Sequence, residues 1–496
     1  MQNLKYILMV VSVLLLNGAK AQINFYKVFS SSGFDFGEGI VQMEDSSYLL
    51  TGATSSFDVP SGQAFILKTD KYGEKLWSKS YGGQESDRGR RIFINENDGI
   101  YVAGYSNSFN TGSYDFYFFK TDLNGELIYE KNYGGPKFEK LYGATKTPDG
   151  EFFIMAGSSL SNPEEVENCY MVMIDKQGTL IWEKQWGGTG RDIARSVKML
   201  DDTTFVVIGE EFDESDQLTK AFVQRVKLDG TVLWTGHRGA VGKNYFINDF
   251  VVRQDDIIAC GGVKYTSGTT EKCHPMLLRY HKDGNFLYDM VDSGLEYSRM
   301  ELVQDFGTTE QYAVVEQALR SNFPIYGDGY EDNQVTLFHT YFYWLAGIFN
   351  YSRTGEDLYT EMIRTKDNGF AVVGYNSFFG TGYNNIVFIK VGPGMEVPSS
   401  TSNPDIAPLV KALSIESATT VSLFPNPSSG QFTIKCEKPL VKIEVIDLLG
   451  KKVRELDANF ETTVNIAEGE LEEGVYMVKI YLNDHDYALQ QLMIKK

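Results

Sequence analysis

Five times along the chain an aspartate, a glycine and an aromatic ring recur together, three of them in fixed register. They are Asp70, Gly73 and Trp77; Asp122, Gly125 and Tyr129; Asp175, Gly178 and Trp182; then, more weakly, Asp229, Gly230 and Trp234, and Asp283, Gly284 and Tyr288. Such carboxylates could hold calcium, but each copy supplies one or two of them where the ion takes about six to eight oxygens. A hairpin turn capped by Asp, with Gly at positive φ, uses the same residues better. A second acidic set, Asp35, Asp87, Asp192 and Asp357, stands 17 residues before a recurrent glycine, with Asn244 at the same place in another copy and Glu139 one place off. These side chains either ring one mouth of a channel or cap a turn; their periodicity favours the cap, because a functional site usually breaks a repeat. The break comes at Gly327-Asp328-Gly329-Tyr330-Glu331-Asp332-Asn333 and the aromatic run from Phe338 to Trp344. Asp328, Tyr330, Glu331 and Asp332 are therefore the candidate ligand-binding residues, for a metal or a sugar, with drift of the repeat as the alternative.

Catalytic constellations are missing from the pattern. There is no G-x-S-x-G or H-E-x-x-H, and His237, His274, His281, His339 and His485 are scattered. Gly236 to Lys243 lacks P-loop spacing and is followed by Asn244 where Ser or Thr is required. Asp70 to Trp77 and Asp175 to Trp182 loosely resemble the tryptophan-docking repeats of quinoproteins, but the cofactor ligands of those families have no counterpart. No catalytic residue, cofactor or metal ligand is assigned. A net charge of −20 argues against nucleic acid as a partner and fits solubility outside the cell.

The residues above belong to a repeat. Gly52, Gly104, Gly157, Gly209 and Gly261 follow at steps of 52, 53, 52 and 52 residues, and Gly374 comes after a step of 113 that holds a degenerate unit around Val314-Val315-Glu316. Seven units result. Each reads as four strands, the second unit most clearly, at residues 91–95, 100–105, 116–121 and 127–133. The middle two are nearly continuous apolar runs; the last alternates and carries Lys131, as an outer edge does. Four-stranded units of this length, rich in Gly and aromatic residues, predict a seven-bladed β-propeller over residues 22–394. The seventh unit stops after its third strand, at Val391, and the start of the chain supplies the missing one. A shift of 52 residues places Phe25 on Trp77, Lys27 on Lys79 and Phe29 on Tyr81.

Both ends carry addresses. Lys5, an apolar run from Ile7 to Leu16 and Ala19-Lys20-Ala21 predict a signal peptide over residues 1–21. No other run is long and apolar enough to span a bilayer. Residues 395–420 are rich in Pro, Ser, Thr and Ala and read as a linker. Residues 421–496 alternate as a small β-sandwich. Four cysteines are too few for a disulfide scaffold; Cys260 and Cys273, expected on neighbouring strands, either pair or remain separate thiols.

The last segment resembles the C-terminal sorting domain of proteins exported by the type IX secretion system of Bacteroidetes. The resemblance is carried by Pro425, Asn426, Pro427 and Gly430, by Asp447 with Gly450, by Gly474 and Tyr476, and by the terminal lysines. It covers the tail alone, and implies passage through the periplasm, engagement of the type IX machinery, and display at the cell surface or release. The chain thus reads as an all-β exported propeller with a sorting domain, acting as a non-enzymatic protein- or glycan-binding module. The alternative is a hydrolase or lyase acting on extracellular polymers through carboxylates at the channel mouth.

Overall fold

The computed structural model describes residues 23–495 except 31–32, 58, 110–112, 292–297, 306–310, 320–330, 340–344, 351–356, 377–383, 393–404, 409–421, 430, 437–438, 448–451, 467–470, 473 and 482–486. The predicted signal peptide, most of the predicted linker, Asp328, Tyr330, Gly430 and Gly450 lie outside the described residues. Those described form strands and no helix, and the chain divides into two compact units, Met1–Leu409 and Val410–Lys496.

Seven sheets make up the first unit. The second sheet shows the plan: Asp87–Asn95, Gly99–Ser106, Asp115–Thr121 and Leu127–Tyr133, antiparallel and in chain order. Its inner strand begins four residues earlier than the apolar pattern predicts, because Asp87, Arg88 and Gly89 pair with Ser106, Tyr105 and Gly104 ahead of a bulge at Arg90. The same bulge recurs at Glu38, Tyr142, Arg195, Asn248, Glu301 and Thr360. A bulge bends the strand and re-aims the side chains around it. The recurrent glycine lies opposite that kink: a Cβ on Gly104 would sit 1.8 Å from the Arg88 carbonyl oxygen, so no side chain fits.

One apolar cluster fills each interface between neighbouring sheets. Tyr101, Phe116, Phe118 and Phe153 pack between the second and third sheets; Phe25, Phe29, Tyr48, Phe65 and Phe388 pack between the seventh and the first. The inner strands touch in a closed cycle, Asp357–Arg364 returning to Asp35–Gln42. The architecture is that of a β-propeller.

Closure uses the strand predicted for it. Phe25–Ser30 pairs antiparallel with Asn385–Val391, Phe25 opposite Lys390 and Phe29 opposite Ile386. A further strand, Asp405–Pro408, lies parallel on the outer edge of Phe25–Ser30, so residues 395–420 are not spacer throughout. Ile406 and Ala407 interrupt the Ser/Thr/Pro composition there, and an edge strand with unpaired amides accepts an extended segment readily.

The repeated aromatic is an inter-sheet staple. A Cβ on Gly125, at φ +79°, would come within 3.0 Å of the Trp77 ring, so the indole of one outer strand lies directly over the turn of the next sheet. Around it, Lys79 Nζ donates to the Asn124 carbonyl at 2.7 Å and to Glu126 at 2.6 Å, and the Tyr81 hydroxyl donates to the Gly125 carbonyl at 2.8 Å. Trp182 and Trp234 donate from Nε1 to the carbonyls of Leu228 and Lys282. At the closure the ring of Phe25 lies over Gly73, and Lys27 donates to Glu74 at 2.7 Å. The aspartates of these turns cap them: Asp122 Oδ1 accepts the N–H groups of Asn124 and Glu126 at 2.9 and 2.8 Å.

The second unit contains a three-stranded sheet (Ser422–Phe424, Phe432–Lys435, Thr463–Ile466) and a four-stranded one (Lys442–Asp447, Lys452–Asp457, Gly474–Tyr481, Tyr487–Ile494) around Ile434, Val445, Val478 and Leu492. All four cysteines are free. Cys260 is opposite Leu277 and Cys273 opposite Lys264, an offset of four residues or about 13 Å along the strand. That exceeds the reach of a disulfide.

Phe25 is the side chain through which closure can be measured. It meets Phe388 edge-on at 4.8 Å and is 8% exposed. Phe25→Ala should cost about 3–5 kcal/mol by denaturant unfolding, whereas Leu76→Ala, at a site 56% exposed on an outer strand, should stay within about 0.5 kcal/mol. Equal costs would contradict the assigned closure.

Candidate binding face

The loops between second and third strands share one end of the propeller with the turns that lead into each inner strand. The Ser106–Ser113 loop touches the Gly82-Gly83 turn, where Glu85 N–H donates to Ser108 Oγ at 3.0 Å; Asp87 N–H donates to the Gly62 carbonyl at 3.0 Å. The acidic set holds these pieces together. Asp87, fully buried, accepts from Gly83 N–H and Ser108 Oγ at 2.8 Å each and from Ser106 Oγ. Asp35 accepts from Thr54 Oγ1 at 2.6 Å and Ser56 Oγ at 2.8 Å, and Asp192 from Gly188 and Phe212 N–H at 2.6 and 2.7 Å. At 0–1% exposure these three carboxylates open onto no channel. Asp357 begins the seventh inner strand, opposite Asn376. Burial raises the carboxyl pKa of Asp87 and of Asp192 above the ordinary value, against the hydrogen bonds that lower it.

Of the residues singled out in the divergent sixth unit, Glu331 and Asp332 lie on the strand Glu331–His339, opposite Leu319 and Ala318. The loop expected there ends before them, because Gln311–Leu319 continues its ladder to Glu331.

A cleft between the first and second sheets was not legible in the repeat. It encloses about 180 Å³ between Phe34, Phe36, Tyr105 and Tyr114, with Ser55 and Ser61 on its rim. The Arg88 guanidinium stacks on Phe36 at 4.5 Å, pairs with Glu38 at 2.6 Å and lies 3.4 Å from the Tyr105 hydroxyl; its buried Nε has no partner among the described residues. Phe34 is 45% exposed, and Tyr105 and Tyr114 meet edge-on at 5.4 Å. The one signal in the sequence was the residue after each repeated acid, which changes from Phe36 to Arg88 to Lys140. On the fourth sheet a second, wider cleft of about 380 Å³ is lined by Glu211, Asp213, Glu214, Lys220 and His237. There the hydrogen bond that His237 Nε2 makes to the Glu211 carboxylate at 2.7 Å raises the His237 pKa.

Further along the axis, Glu38 is almost fully buried and receives both Arg88 and Arg90. Burial pushes its carboxyl up, but the guanidiniums of Arg88, Arg90 and Arg91 together outweigh that and hold it below the ordinary 4.5. Glu361 shows the reverse balance: burial prevails over Arg91 and its pKa is raised.

In the tail, Asn426 Oδ1 accepts Met493 N–H at 2.9 Å and Ser428 exchanges backbone bonds with Met493 and Lys495, so the motif around Pro425 and Pro427 is tied to the terminal strand. Gly474 opens the strand whose Tyr476 hydroxyl donates to the Glu472 carbonyl at 3.0 Å. Residues 422–495 match the family model of the secretion system C-terminal sorting domain. The chain therefore carries a type IX sorting tail, which directs export to the cell surface or the extracellular space.

Among curated proteins none matches the chain. Among solved structures it is similar to the extracellular domain of a protein described as a hybrid two-component system of B. thetaiotaomicron, with 8% identity, TM-score 0.42, and 95% of this chain and 58% of that one covered. A second match, described as a one-component system of the same organism, has 11% identity, TM-score 0.37, and coverage of 96% and 59%. The chain thus spans about three fifths of their length. The Dos1 propeller matches with 10% identity, TM-score 0.41, and coverage of 78% and 98%. At these scores the propeller description rests on the sheets themselves. Among the described residues no helix is long and apolar enough to cross a membrane.

Two substitutions separate scaffold from site. Asp87→Ala leaves an amide and two hydroxyls without an acceptor and should cost about 2–4 kcal/mol. Asp87→Asn should cost about 1 kcal/mol or less, since it removes a charge that burial already disfavours. Thermal unfolding of both variants checks this, and equal losses would contradict it. For Glu38 the folded pKa is depressed, so its stabilising contribution is present above the unfolded value of 4.5 and is lost as pH falls through the folded one. Glu38→Gln should be destabilised by about 3–5 kcal/mol at neutral pH and should lose part of the wild-type decline below pH 4.5. Parallel stability–pH curves for the two proteins would rule out this assignment.

Proposed function

We propose that the exported propeller is a non-enzymatic recognition module that binds an extracellular glycan or protein through the face bearing the loops between second and third strands. The observation that carries this reading is the cleft walled by Phe34, Phe36, Tyr105 and Tyr114. Four aromatic rings at a surface opening, one of them 45% exposed, with hydroxyls on the rim, combine an apolar stacking surface with hydrogen-bonding groups that fix orientation. The opposite face carries the Asp-x-x-Gly turns, whose polar groups are taken up in capping and in the staples.

The test is a glycan and surface-protein binding screen of the full chain, repeated with Phe34→Ala and Tyr114→Ala. Each should weaken a ligand found by the screen about tenfold or more without lowering thermal stability appreciably. Tyr72→Ala, in an Asp-x-x-Gly turn on the other face and 52% exposed, should leave binding unchanged. A ligand lost equally in all three, or in none, would refute the assignment of the face.

A further inference from the structure

We infer that the axial side of the second, third and fourth sheets is an anion site, in which Lys140 and Arg195 beside the Tyr142 ring, with Arg90 at the Tyr142 carbonyl and Arg88 sharing Glu38 with Arg90, receive an oxyanion group, a carboxylate or sulfate, of a small acidic ligand. The placement follows from the bulges. Arg90, Tyr142 and Arg195 occupy the kinked position of three consecutive inner strands, and Lys140 lies two residues before the kink at Tyr142. Arg90 Nε donates to the Tyr142 carbonyl at 3.2 Å; Lys140 Nζ and Arg195 Cζ lie 5.1 and 4.8 Å from the centre of the Tyr142 ring. Cations from three sheets thus meet at one residue, Lys140 and Arg195 at its ring and Arg90 at its carbonyl.

Their charges do not cancel. Arg88 and Arg90 share the single carboxylate of Glu38; Arg195 has Glu210 at 2.8 Å, and Arg191, also near Tyr142, has Glu167 at 2.5 Å. The Lys140 side chain makes no hydrogen bond or ion pair among the described residues; its ammonium lies over the Tyr142 ring. Five cations therefore face three carboxylates, in a chain whose net charge is −20. Burial and then Arg90 and Arg88 push the Lys140 pKa down, as expected of an ammonium held among like charges. An unpaired cation so placed destabilises the fold and is relieved by an anion. Guanidinium pairs with an adjacent ammonium match the geometry of carboxylate and sulfate. The inference stands apart from the aromatic cleft, although Arg88 borders both.

The experiment follows the thermal midpoint of the full chain as sodium sulfate or sodium glucuronate replaces sodium chloride at constant ionic strength, with glucose as the neutral sugar. Both oxyanions should raise the wild-type midpoint saturably, by a few degrees at about 100 times Kd, and glucose should not. Glucuronate acting at much lower concentration than sulfate would assign the oxyanion to a sugar; equal potency would assign it to a free inorganic ion. Lys140→Gln should have an unliganded midpoint equal to or above wild type and should weaken the response about tenfold or more. Lys140→Arg should retain the response, and so should Lys71→Gln in a turn on the opposite face. Tyr114→Ala should retain it as well, so failure of the cleft and failure of the anion site read differently. A wild type indifferent to both oxyanions, a Lys140→Gln response equal to wild type, or a Lys140→Gln midpoint well below wild type without anion would overturn the inference.

Discussion

An aromatic ring laid across the turn of the neighbouring sheet is the contact on which the rest of the first unit depends. The turn can receive it because Gly125, at φ +79°, has no Cβ to hold the indole of Trp77 away. The carbonyls that such a turn leaves unpaired then become acceptors, for the Tyr81 hydroxyl at Gly125 and for Trp182 Nε1 at Leu228. Burying those carbonyls without donors would cost about 1–3 kcal/mol each, so ring and donors are useful only together. That is why Trp or Tyr, Lys and Tyr recur in one strand and Asp and Gly in the next turn. Each staple joins one sheet to its successor, and a line of them would leave two open ends. Phe25 over Gly73 makes the line a ring.

This logic explains how much of the structure was legible. Middle strands such as Asp115–Thr121 are buried on both faces and read as apolar runs, and the staple residues recur at a fixed period. The return of the first strand to the seventh sheet could be deduced because Phe25, Lys27 and Phe29 keep the staple pattern with no sheet of their own. The inner strands were legible only in part. Asp87-Arg88-Gly89-Arg90-Arg91 has no apolar alternation, since a bulge shifts the pleat in its middle and charged side chains bridge to neighbouring sheets. A pattern based on period two cannot show a strand whose register slips by one. The strand Asp405–Pro408 was hidden for a different reason: its pairing is made by backbone, in a segment whose composition is that of a spacer.

Repetition and function divide along the same line. Positions that recur in most units, such as the acid at Asp35, Asp87 and Asp192, prove to be buried brackets for turns and loops. Positions one and three residues further on vary, from Phe36 and Glu38 to Arg88 and Arg90 to Lys140 and Tyr142, and these build the cleft wall and the axial charge cluster. A scaffold secured by its recurrent positions can vary the neighbouring ones at little cost to the fold. A break in the repeat, such as that at Asp328 and Tyr330, stands out as a gap in the spacing, whereas variation inside regular strands leaves none.

The seventh sheet joins segments from far apart in the unit's sequence. Phe25–Ser30 is the first strand among the described residues, and strands near the edge of a unit fray unless tied down. Its inner edge pairs with Asn385–Val391, its side chains fill the cluster between seventh and first sheets, and its outer edge pairs with Asp405–Pro408. Both ends of the unit's chain therefore meet in one sheet, and the first strand cannot leave without opening a hydrophobic interface and breaking two ladders. Asp405–Pro408 ends just before the division between the two units, so the segment leading toward the sorting tail is anchored to the strand that closes the ring. With its edge covered and its residues buried, this sheet does not present the outer strand that the other sheets leave exposed, and an edge left bare here would be a template for pairing with another chain.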